Sequence, residues 1–339
     1  MDFSLTLIIP TRNRCSSLAD TLNSICKQRE NVDFEVIVVD NGSVDNTKKT
    51  CADFQSVIKN LFYVYDNEPG LLTGRHHGAS IARGEILCFL DDDVELNPFY
   101  VKQIVDLFED QPNIQLATGP CLPKYEKYPP KWLDYFWGEL PNGKYCSWLS
   151  LLDLGDEQID LDQNLVWGLN FVIRKTALID LGGFHPDLLP VEQQHFQGDG
   201  ETGLTLKAIE KNYLAVYHPG LQLYHLVSDE RLTKTYFKKR AYYQGVCDSF
   251  TKLRKGETKS VVRQRSLRDK LHPYYRWIKN INPKYKKNNL PEEIIEFQTA
   301  LQQLYQEGFD FHQKYYATNE IVQEWVNREN YWDYQLPKL

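Results

Sequence analysis

The sequence predicts an α/β fold, a doubly wound and mostly parallel sheet with flanking helices. Three observations predict it. Short apolar runs recur along the first third of the chain, stretches with apolar residues at helical spacing separate them, and each run ends in a polar turn. Strands that alternate with helices at this spacing are typical of parallel sheets, whose strands are buried on both faces.

The elements of the first half follow from this pattern. Residues 5–9 form an apolar run that ends at Pro10, which has no N–H to donate to a neighbouring strand. Ser16 or Ser17 is expected to cap the helix that follows, and Asp45 is expected to cap the next one. The predicted elements are strands 5–9, 34–39, 61–65, 86–90 and 115–118, and helices 16–28, 45–54, 70–82 and 99–109.

The pattern breaks after residue 118. Residues 119–163 are rich in Pro, Gly, Tyr and Trp. The aromatic faces of Trp132, Trp137 and Trp148 suit either the binding of sugar rings or the packing of the second half. Strand and helix patterns then resume. They predict strands 167–173, 213–217 and 221–225, a helix that ends near residue 212, and helices 292–306 and 321–332.

Length and composition are those of a globular protein with one or two domains, and we expect an α/β domain over 1–250 and a helical extension over 251–339. The 339 residues are 42% hydrophobic and 25% charged, and the net charge of −7 argues against a nucleic-acid-binding protein. The seven cysteines are scattered and lack Cys-x-x-Cys spacing, which is typical of free thiols in a reducing compartment. With neither a signal segment nor an apolar run of membrane-spanning length, we expect a cytoplasmic protein.

Three consecutive carboxylates, Asp91, Asp92 and Asp93, directly follow the apolar run 86–90. Adjacent negative charges repel one another, and burial of an unpaired carboxylate is costly, so a cation is expected nearby. Side chains alternate along an extended chain, which places Asp91 and Asp93 on the same side. Hard oxygen ligands suit Mg²⁺ or Mn²⁺, which also bind substrate phosphates. The alternative is a solvated acidic turn before the next helix.

The polar ends of three strands are expected to meet at one edge of the sheet, where open α/β sheets bind ligands. They carry residues 10–12, Asp40, and the carboxylates Asp91 and Asp93. No Gly-x-Gly-x-x-Gly follows the first strand, and the sequence has no Gly-x-x-x-x-Gly-Lys-Ser/Thr phosphate-binding loop. A nucleotide at this edge would therefore be held by carboxylates and a metal. Asp40 either accepts hydrogen bonds from a ribose or a base, or forms the turn after its strand.

Three further features of the second half each allow two interpretations. Asp199 and Glu201 lie at or near the start of a helix, where negative side chains are favoured, so a capping role competes with a functional one. His225 ends a strand and is either structural or a metal ligand. From 252 to 287, 13 Lys and Arg residues stand against 2 Asp and Glu residues. This basic block is either a docking surface for a polyanion or an anionic membrane, or a solvated helical face partly paired with the acidic tail.

Taken together, these residues resemble the family 2 glycosyltransferases, which have the GT-A fold. Each matching segment is weak alone, but the ordered set, across roughly residues 4–246, is highly specific. The tail after about residue 250 lies outside the resemblance. The matching segments are 8–14, 38–43 with Asp45, 75–85, 89–93, 167–170, 182–184, 198–204, and His225 with 231–233.

The resemblance implies roles for individual residues. Residues 1–118 would bind the nucleotide sugar and residues 119–250 the acceptor. Asp93 would contact a Mn²⁺ or Mg²⁺ ion that bridges the diphosphate, Asp91 the ribose or the metal, and His225 the metal or the diphosphate. The remaining substrate-binding candidates are Pro10, Thr11, Arg12, Asp40, Arg75, Asp92, Trp167 and Arg231.

One departure from the family concerns the catalytic base. The family usually has Glu-Asp before the last helix of the catalytic domain, and the Asp is the base. Here the sequence is Asp199-Gly200-Glu201-Thr202, and alignment of Thr202 and Leu204 with the family's pattern places Glu201 on the base position. Asp199 remains the alternative.

The implied activity is inverting transfer of a sugar from a nucleoside diphosphate sugar to a hydroxyl of a glycan or lipid-linked acceptor in polysaccharide biosynthesis. UDP is the commonest donor nucleotide in the family. With the basic block as a docking surface, the protein would work at the inner face of a membrane. One alternative is a sugar-phosphate nucleotidyltransferase, although residues 10–14 lack the glycine-rich loop that such enzymes normally need. The other is a non-catalytic carbohydrate-binding relative.

Overall fold

The computed structural model describes residues 3–29, 32–68, 70–256, 290–332 and 335–337. These residues form two β-sheets and the helices around them. The strands are β1 (Leu5–Thr11), β2 (Phe34–Asp40), β3 (Leu61–Tyr65), β4 (Ile86–Leu90), β5 (Val94–Leu96), β6 (Ile114–Thr118), β7 (Cys121–Tyr125), β8 (Gly138–Leu140), β9 (Gly143–Cys146), β10 (Leu151–Asp153), β11 (Ile159–Asp160), β12 (Asn170–Arg174), β13 (Leu214–Tyr217) and β14 (Leu223–Val227).

The larger sheet has the strand order β11-β13-β6-β12-β4-β1-β2-β3. Strands β4, β1, β2 and β3 run parallel to one another, and β13 runs parallel to β6. Strand β12 is antiparallel to both β4 and β6, and β11 is antiparallel to β13. The prediction of a mostly parallel α/β sheet is confirmed. The strands β1, β2 and β4 are almost wholly buried, as their continuous apolar sequences predict.

The smaller sheet has the order β5-β14-β7-β10-β9-β8 and contains most of the segment in which the helix and strand pattern breaks. Its strands have three to five residues, too few for a clear alternation of apolar and polar side chains. Strand β14 pairs antiparallel with β5, which places His225 opposite Val94. This pairing brings the histidine next to the end of the acidic motif.

The helices are α1 (Cys15–Cys26), α2 (Thr47–Gln55), α3 (Leu71–Ile81), α4 (Tyr100–Asp110), α5 (Lys175–Asp180), α6 (Glu201–Glu210), α7 (Lys234–Arg254), α8 (Glu292–Thr318) and α9 (Glu320–Asn327). The prediction that Ser16 or Ser17 caps α1 is wrong, because no side chain of α1 caps its own start. Asp45 instead accepts a hydrogen bond from Cys15 N at 3.0 Å, and its other oxygen accepts one from Thr47 N at 3.0 Å. One carboxylate therefore binds the starts of both α1 and α2.

The three tryptophans of the irregular segment pack within the second half of the molecule. Trp132 makes edge-to-face contacts with Phe237 and Phe297, and Trp148 stacks on Phe237 with ring centroids 4.9 Å apart. Trp137 is half-buried against the same cluster. Of the two alternatives for these residues, packing is the one that the structure shows.

The C-terminal helices pack closely on the α/β region. Helix α8 runs along α7, and a Cβ at Gly245 would lie 2.0 Å from the Tyr305 carbonyl oxygen, so only glycine allows this approach. Trp325 of α9 is buried, and its Nε1 donates to Phe196 O at 2.7 Å. Tyr331 N donates to Gly182 O at 2.8 Å. The extension thus covers the loops that precede α6.

The predicted basic block lies mostly outside the described residues, since 257–289 are not among them. Its first residues, 252–256, follow the end of α7 or belong to it. Among the helices that the structure describes, none has the length and apolar character needed to cross a bilayer.

Candidate active site

The candidate active site lies at the carboxyl edge of the larger sheet, where β1, β2 and β4 end. Thr11 pairs with Asp40 in the register of β1 and β2. Thr11 Oγ1 also donates a 2.6 Å hydrogen bond to Asp92 Oδ2. The end of β2 and the acidic motif after β4 therefore meet through one buried threonine, as the convergence of strand ends predicts.

Arg14 forms ion pairs with two of the three carboxylates. Its Nη1 lies 2.9 Å from Asp92 Oδ1, and its Nη2 lies 2.7 Å from Asp93 Oδ2. Asp91 contacts a different cation, Arg75, whose Nη2 lies 3.0 Å from Asp91 Oδ1.

Arg14 was not among the predicted site residues. The sequence nevertheless contains the feature that points to it, because three adjacent carboxylates need a nearby cation and Arg14 lies in the turn after β1. Arg12, which was predicted to line the nucleotide pocket, is exposed, whereas Pro10 and Thr11 are buried in β1.

His225 and Arg231 complete the surroundings of Asp93. His225 is buried, and its Nδ1 donates to Leu149 O at 2.8 Å, which leaves Nε2 as an acceptor. Arg231 Nη1 donates to this Nε2 at 2.7 Å, and Arg231 Nη2 donates to Asp93 Oδ2 at 2.8 Å. His225 Nε2 lies 3.5 Å from the same carboxylate oxygen.

The charges of this cluster shift its pKa values strongly. Burial would raise the pKa of Asp93, but the positive charges of Arg231 and Arg14 outweigh it and hold that pKa well below its usual range. Burial raises the pKa of Asp92 to about 7, against the effect of Arg14. Asp92 and Asp93 are thus neighbouring carboxylates with pKa values shifted in opposite directions, a feature common at functional sites.

The donor atoms of the cluster fit a hard divalent cation. Asp93 Oδ1 is buried and has no hydrogen-bond partner, and His225 Nε2, which accepts from Arg231, lies 3.5 Å from Asp93 Oδ2. Across the described ranges, no group of three or more His, Cys, Asp or Glu side chains has metal-binding geometry. A Mn²⁺ or Mg²⁺ ion here would therefore need ligands from substrate phosphates and water, which Mg²⁺ commonly uses.

Asp40 is buried at the end of β2, and both of its oxygens accept hydrogen bonds. Oδ1 accepts from Ser43 N at 2.7 Å, which is the turn-forming alternative, and Oδ2 accepts from Tyr63 Oη at 2.8 Å. Tyr63 and Tyr65 lie on β3 at the same edge of the sheet, and Tyr65 is exposed. Asp40 thus holds the turn after β2 at this edge of the sheet.

Arg75 connects this edge of the sheet to helix α6. The side chain is 1% exposed, its Nη2 donates to Asp91 Oδ1 at 3.0 Å and to Gly168 O at 2.8 Å, and its Nη1 lies 3.8 Å from Glu201 Oε2. Gly168 N donates to Glu201 Oε1 at 3.2 Å. Trp167, half-buried, precedes Gly168 and contacts Tyr145 edge-to-face. Glu201 is therefore held in a fixed direction while part of its carboxylate remains open.

Asp199, the alternative base, has a different environment. It is buried, His185 Nδ1 donates to its Oδ1, and Thr251 Oγ1 donates to its Oδ2 at 2.6 Å. Burial would raise the pKa of Asp199, but the hydrogen bonds from His185 and Thr251 keep it below its usual value. Gly203 leaves room for this pair, since a Cβ there would lie 2.1 Å from His185 Nδ1. Both oxygens of Asp199 are thus occupied inside the protein.

The model of Glycosyl transferase family 2 matches residues 6–181, which is more than half of the chain. The chain belongs to glycosyl transferase family 2. This confirms the family that the ordered motifs predict. The match includes most of β1, the strands β2 to β12, the acidic motif and Arg75, and it ends before Glu201, His225 and Arg231.

Curated relatives of this glycosyl transferase family 2 chain include proteins from bacteria and archaea. It is 36% identical to the chondroitin synthase of Escherichia coli over 118 residues. That alignment covers 34% of this chain and 17% of the chondroitin synthase. It is 35% identical to the glycosyltransferase AglE of Haloferax volcanii over 213 residues, and that alignment covers 62% of each of the two chains. The alignments therefore span well under a third of the chondroitin synthase and less than two thirds of AglE.

Among solved structures, the family 2 chain is similar to the mannosyltransferase PcManGT from Pyrobaculum calidifontis, whose structure is in complex with GDP-Man and Mn²⁺. The TM-score is 0.52 and the sequence identity is 16%, with 94% of this chain and 76% of that chain covered. At this identity the likeness concerns the fold alone, and it confirms the predicted GT-A fold.

Proposed function

We propose that this protein transfers a sugar from a nucleoside diphosphate sugar to a hydroxyl of a glycan or lipid-linked acceptor, with inversion at the anomeric carbon. The observation that carries the proposal is the cluster of Asp93, Arg14, Arg231 and His225 at the carboxyl edge of the sheet. It combines two arginines that suit phosphate oxygens with a buried carboxylate oxygen that lacks a partner.

The donor side of the reaction is assigned to this cluster. Arg14 and Arg231 would bind the diphosphate, because a guanidinium offers two parallel N–H donors to phosphate oxygens. Asp93 and His225, with Asp91 as a further oxygen ligand, would hold a Mn²⁺ or Mg²⁺ ion, which when bound supplies positive charge beside the departing diphosphate. The Mn²⁺ and GDP-Man in the PcManGT complex support this assignment.

The nucleotide would lie over the ends of β1 and β2, with Thr11 and Asp40 beneath it. We take a UDP-sugar as the first candidate donor, because UDP is the commonest nucleotide in the family. Asp40 would act mainly through the turn that it holds, since both of its oxygens already accept hydrogen bonds.

The acceptor side is assigned to Glu201. Its carboxylate is oriented by Gly168 N and Arg75, and it remains 28% exposed, so an acceptor hydroxyl can reach it. We assign Glu201 as the general base and Asp199 as a structural residue, because the Asp199 oxygens are occupied by His185 and Thr251. A single displacement with a base on the acceptor side inverts the anomeric centre.

The acceptor is proposed to be a growing glycan or a lipid-linked sugar. Two relatives support this class, the chondroitin synthase and a glucosyl-dolichyl phosphate glucuronosyltransferase from Haloferax volcanii. The basic block 252–287 would then hold the protein at the inner face of an anionic membrane. Sedimentation with vesicles of phosphatidylcholine and phosphatidylserine at low salt tests this docking, and a protein that stays wholly in the supernatant contradicts it.

A panel of nucleotide sugars tests the activity itself. The protein is incubated with UDP-glucose, UDP-N-acetylglucosamine and GDP-mannose in the presence of Mn²⁺, and released nucleoside diphosphate is measured. We expect release from at least one of them. Formation of pyrophosphate from a nucleoside triphosphate and a sugar phosphate would instead indicate a nucleotidyltransferase. Binding without any release would indicate a carbohydrate- or nucleotide-binding protein.

A further inference from the structure

A second carboxylate, that of Asp187, lies beside the start of α6. Two backbone hydrogen bonds attach its loop to the residues before the helix: His185 N donates to Gly200 O at 3.2 Å, and Gly198 N donates to Pro186 O at 2.7 Å. Gly200 has φ +61°, and a Cβ there would lie 3.0 Å from Asp187 Oδ2. Glycine at this position therefore lets the Asp187 carboxylate approach the head of α6 closely.

The two oxygens of Asp187 differ in their partners. Oδ1 accepts a hydrogen bond from Leu188 N at 2.7 Å. Among the residues described by the structure, no hydrogen-bond donor reaches Oδ2, and the residue is only half-buried. Asp199, by contrast, is buried with both oxygens bonded. The carboxylate that is available beside Glu201 is therefore that of Asp187.

The charges around Asp187 couple it to Glu201. Burial raises the pKa of Asp187 to about 7, and the negative charge of Glu201 adds to this shift. Arg240 of α7 and Arg75 of α3 act in the opposite direction, and the thiol of Cys247 faces the carboxylate from α7. Two neighbouring carboxylates disfavour each other's ionisation, and Arg240 and Arg75 offset only part of that effect at Asp187.

We propose that Asp187 is a second catalytic carboxylate, which lies against the attacking acceptor hydroxyl whose single proton is hydrogen-bonded to Glu201. The inference rests on the proposed glycosyl transfer. In that step the acceptor O–H bond breaks and its proton passes to Glu201, while the acceptor oxygen bonds to the anomeric carbon. The bond from the anomeric carbon to the diphosphate oxygen breaks, and the diphosphate keeps the electron pair. Ionised Asp187 places negative charge beside the departing proton and so favours its removal.

The pH dependence of nucleoside diphosphate release tests this pair. The probe is the nucleotide sugar that the wild-type protein turns over fastest, with water alone and then with a panel of methyl glycosides as acceptors. Because Asp187 is neutral below its raised pKa and ionised above it, the wild-type rate should rise on the order of tenfold between about pH 6 and pH 8. Asp187→Asn should remain at the low-pH rate, and Asp187→Glu should recover part of the rise with a shifted midpoint.

Asp106→Asn is the matched control, since it makes the same chemical change at a partly exposed helix surface pair. Calorimetric binding of the nucleoside diphosphate checks that each variant is folded. If Asp187→Asn does not fold, Asp187→Glu decides, and an unchanged midpoint in the pH dependence of its release rate overturns the proposal. Wild-type rate and pH profile in Asp187→Asn, with an inactive Glu201→Gln, would overturn the role of Asp187 and leave the proposed function intact. If the wild-type protein releases no nucleoside diphosphate from any of the nucleotide sugars, both the role of Asp187 and the proposed function are contradicted.

Discussion

Arg75 Nη1 lies 3.8 Å from Glu201 Oε2, and the arginine is buried between this carboxylate and that of Asp91. One guanidinium thus joins the acidic motif after β4 to the start of α6. Its Nη2 donates to Asp91 Oδ1 and to Gly168 O, and Gly168 N donates to Glu201 Oε1, which links Glu201 to the edge of the sheet. The proposed base and the proposed donor site are therefore parts of one rigid arrangement.

Glu201→Gln should separate donor binding from transfer. The substitution keeps the shape of the side chain and its contact with Gly168 N, so the affinity for the nucleoside diphosphate should stay within about twofold. It removes the ability to accept a proton, and nucleoside diphosphate release should fall by about 10²- to 10⁴-fold. Calorimetry gives the affinity, and a coupled assay gives the rate. A variant that releases product at the wild-type rate would show that Glu201 is not the base.

Asp199→Ala should act on stability. Its removal leaves buried His185 without its hydrogen-bond acceptor and takes one of two acceptors from half-buried Thr251, at a cost of about 3 kcal/mol or more in the free energy of unfolding. Thr251→Val deletes only one of the two hydrogen bonds and should cost about 1–2 kcal/mol. Urea unfolding monitored by circular dichroism measures both. An unchanged midpoint for Asp199→Ala contradicts the structural role.

Trp325→Ala should destabilise the whole protein. The indole is buried against Phe196 and Tyr331, and its Nε1 donates to Phe196 O, so truncation should lower the free energy of unfolding by about 3–5 kcal/mol. Ile321→Ala on the same helix is the control, because Ile321 is 41% exposed and should cost less than about 1 kcal/mol. Equal melting temperatures for the two variants would mean that α9 packs independently of the site.

Acid should destabilise the fold through His312. Burial lowers the pKa of His312 to about 4, and the neighbouring His195 adds to the shift. Between its unfolded pKa of about 6.5 and this value, the unfolded chain binds a proton that the folded protein does not, so stability falls as the pH falls. His312→Gln should reduce that dependence by about 1 kcal/mol per pH unit between about pH 6 and 5. Urea unfolding across this pH range measures the effect. If the midpoints of the wild-type protein and His312→Gln fall equally steeply as the pH falls, His312 does not cause the acid sensitivity.

The strands and helices of the α/β half were predictable because their apolar periodicity is strong. Strands β1, β2 and β4 lie where continuous apolar runs place them, and the edge that they form follows from parallel order alone. The smaller sheet was not predictable, since β8, β9 and β10 have three or four residues and are held by pairing rather than by pattern.

Contacts between distant segments explain the remaining differences. The sequence does not show the contacts of Arg14, Asp187 and the His185–Asp199 pair. These contacts form only when the loops before α6 pack against the edge of the sheet and α7. Asp199 and Glu201 look equivalent in sequence, two residues apart. In the structure one faces inward to His185 and Thr251, and the other faces the open side with Arg75.

The central claim is that the cluster around Asp93 binds the donor diphosphate together with a divalent cation. Nucleoside diphosphate release by wild-type protein and Asp93→Asn, each titrated with Mn²⁺ after removal of metal by a chelator, tests it most directly. The account predicts that wild-type release depends on the added metal and that Asp93→Asn falls by about 100-fold or more at every concentration. Metal-independent release by the wild-type protein, or a wild-type metal response in Asp93→Asn, would contradict it.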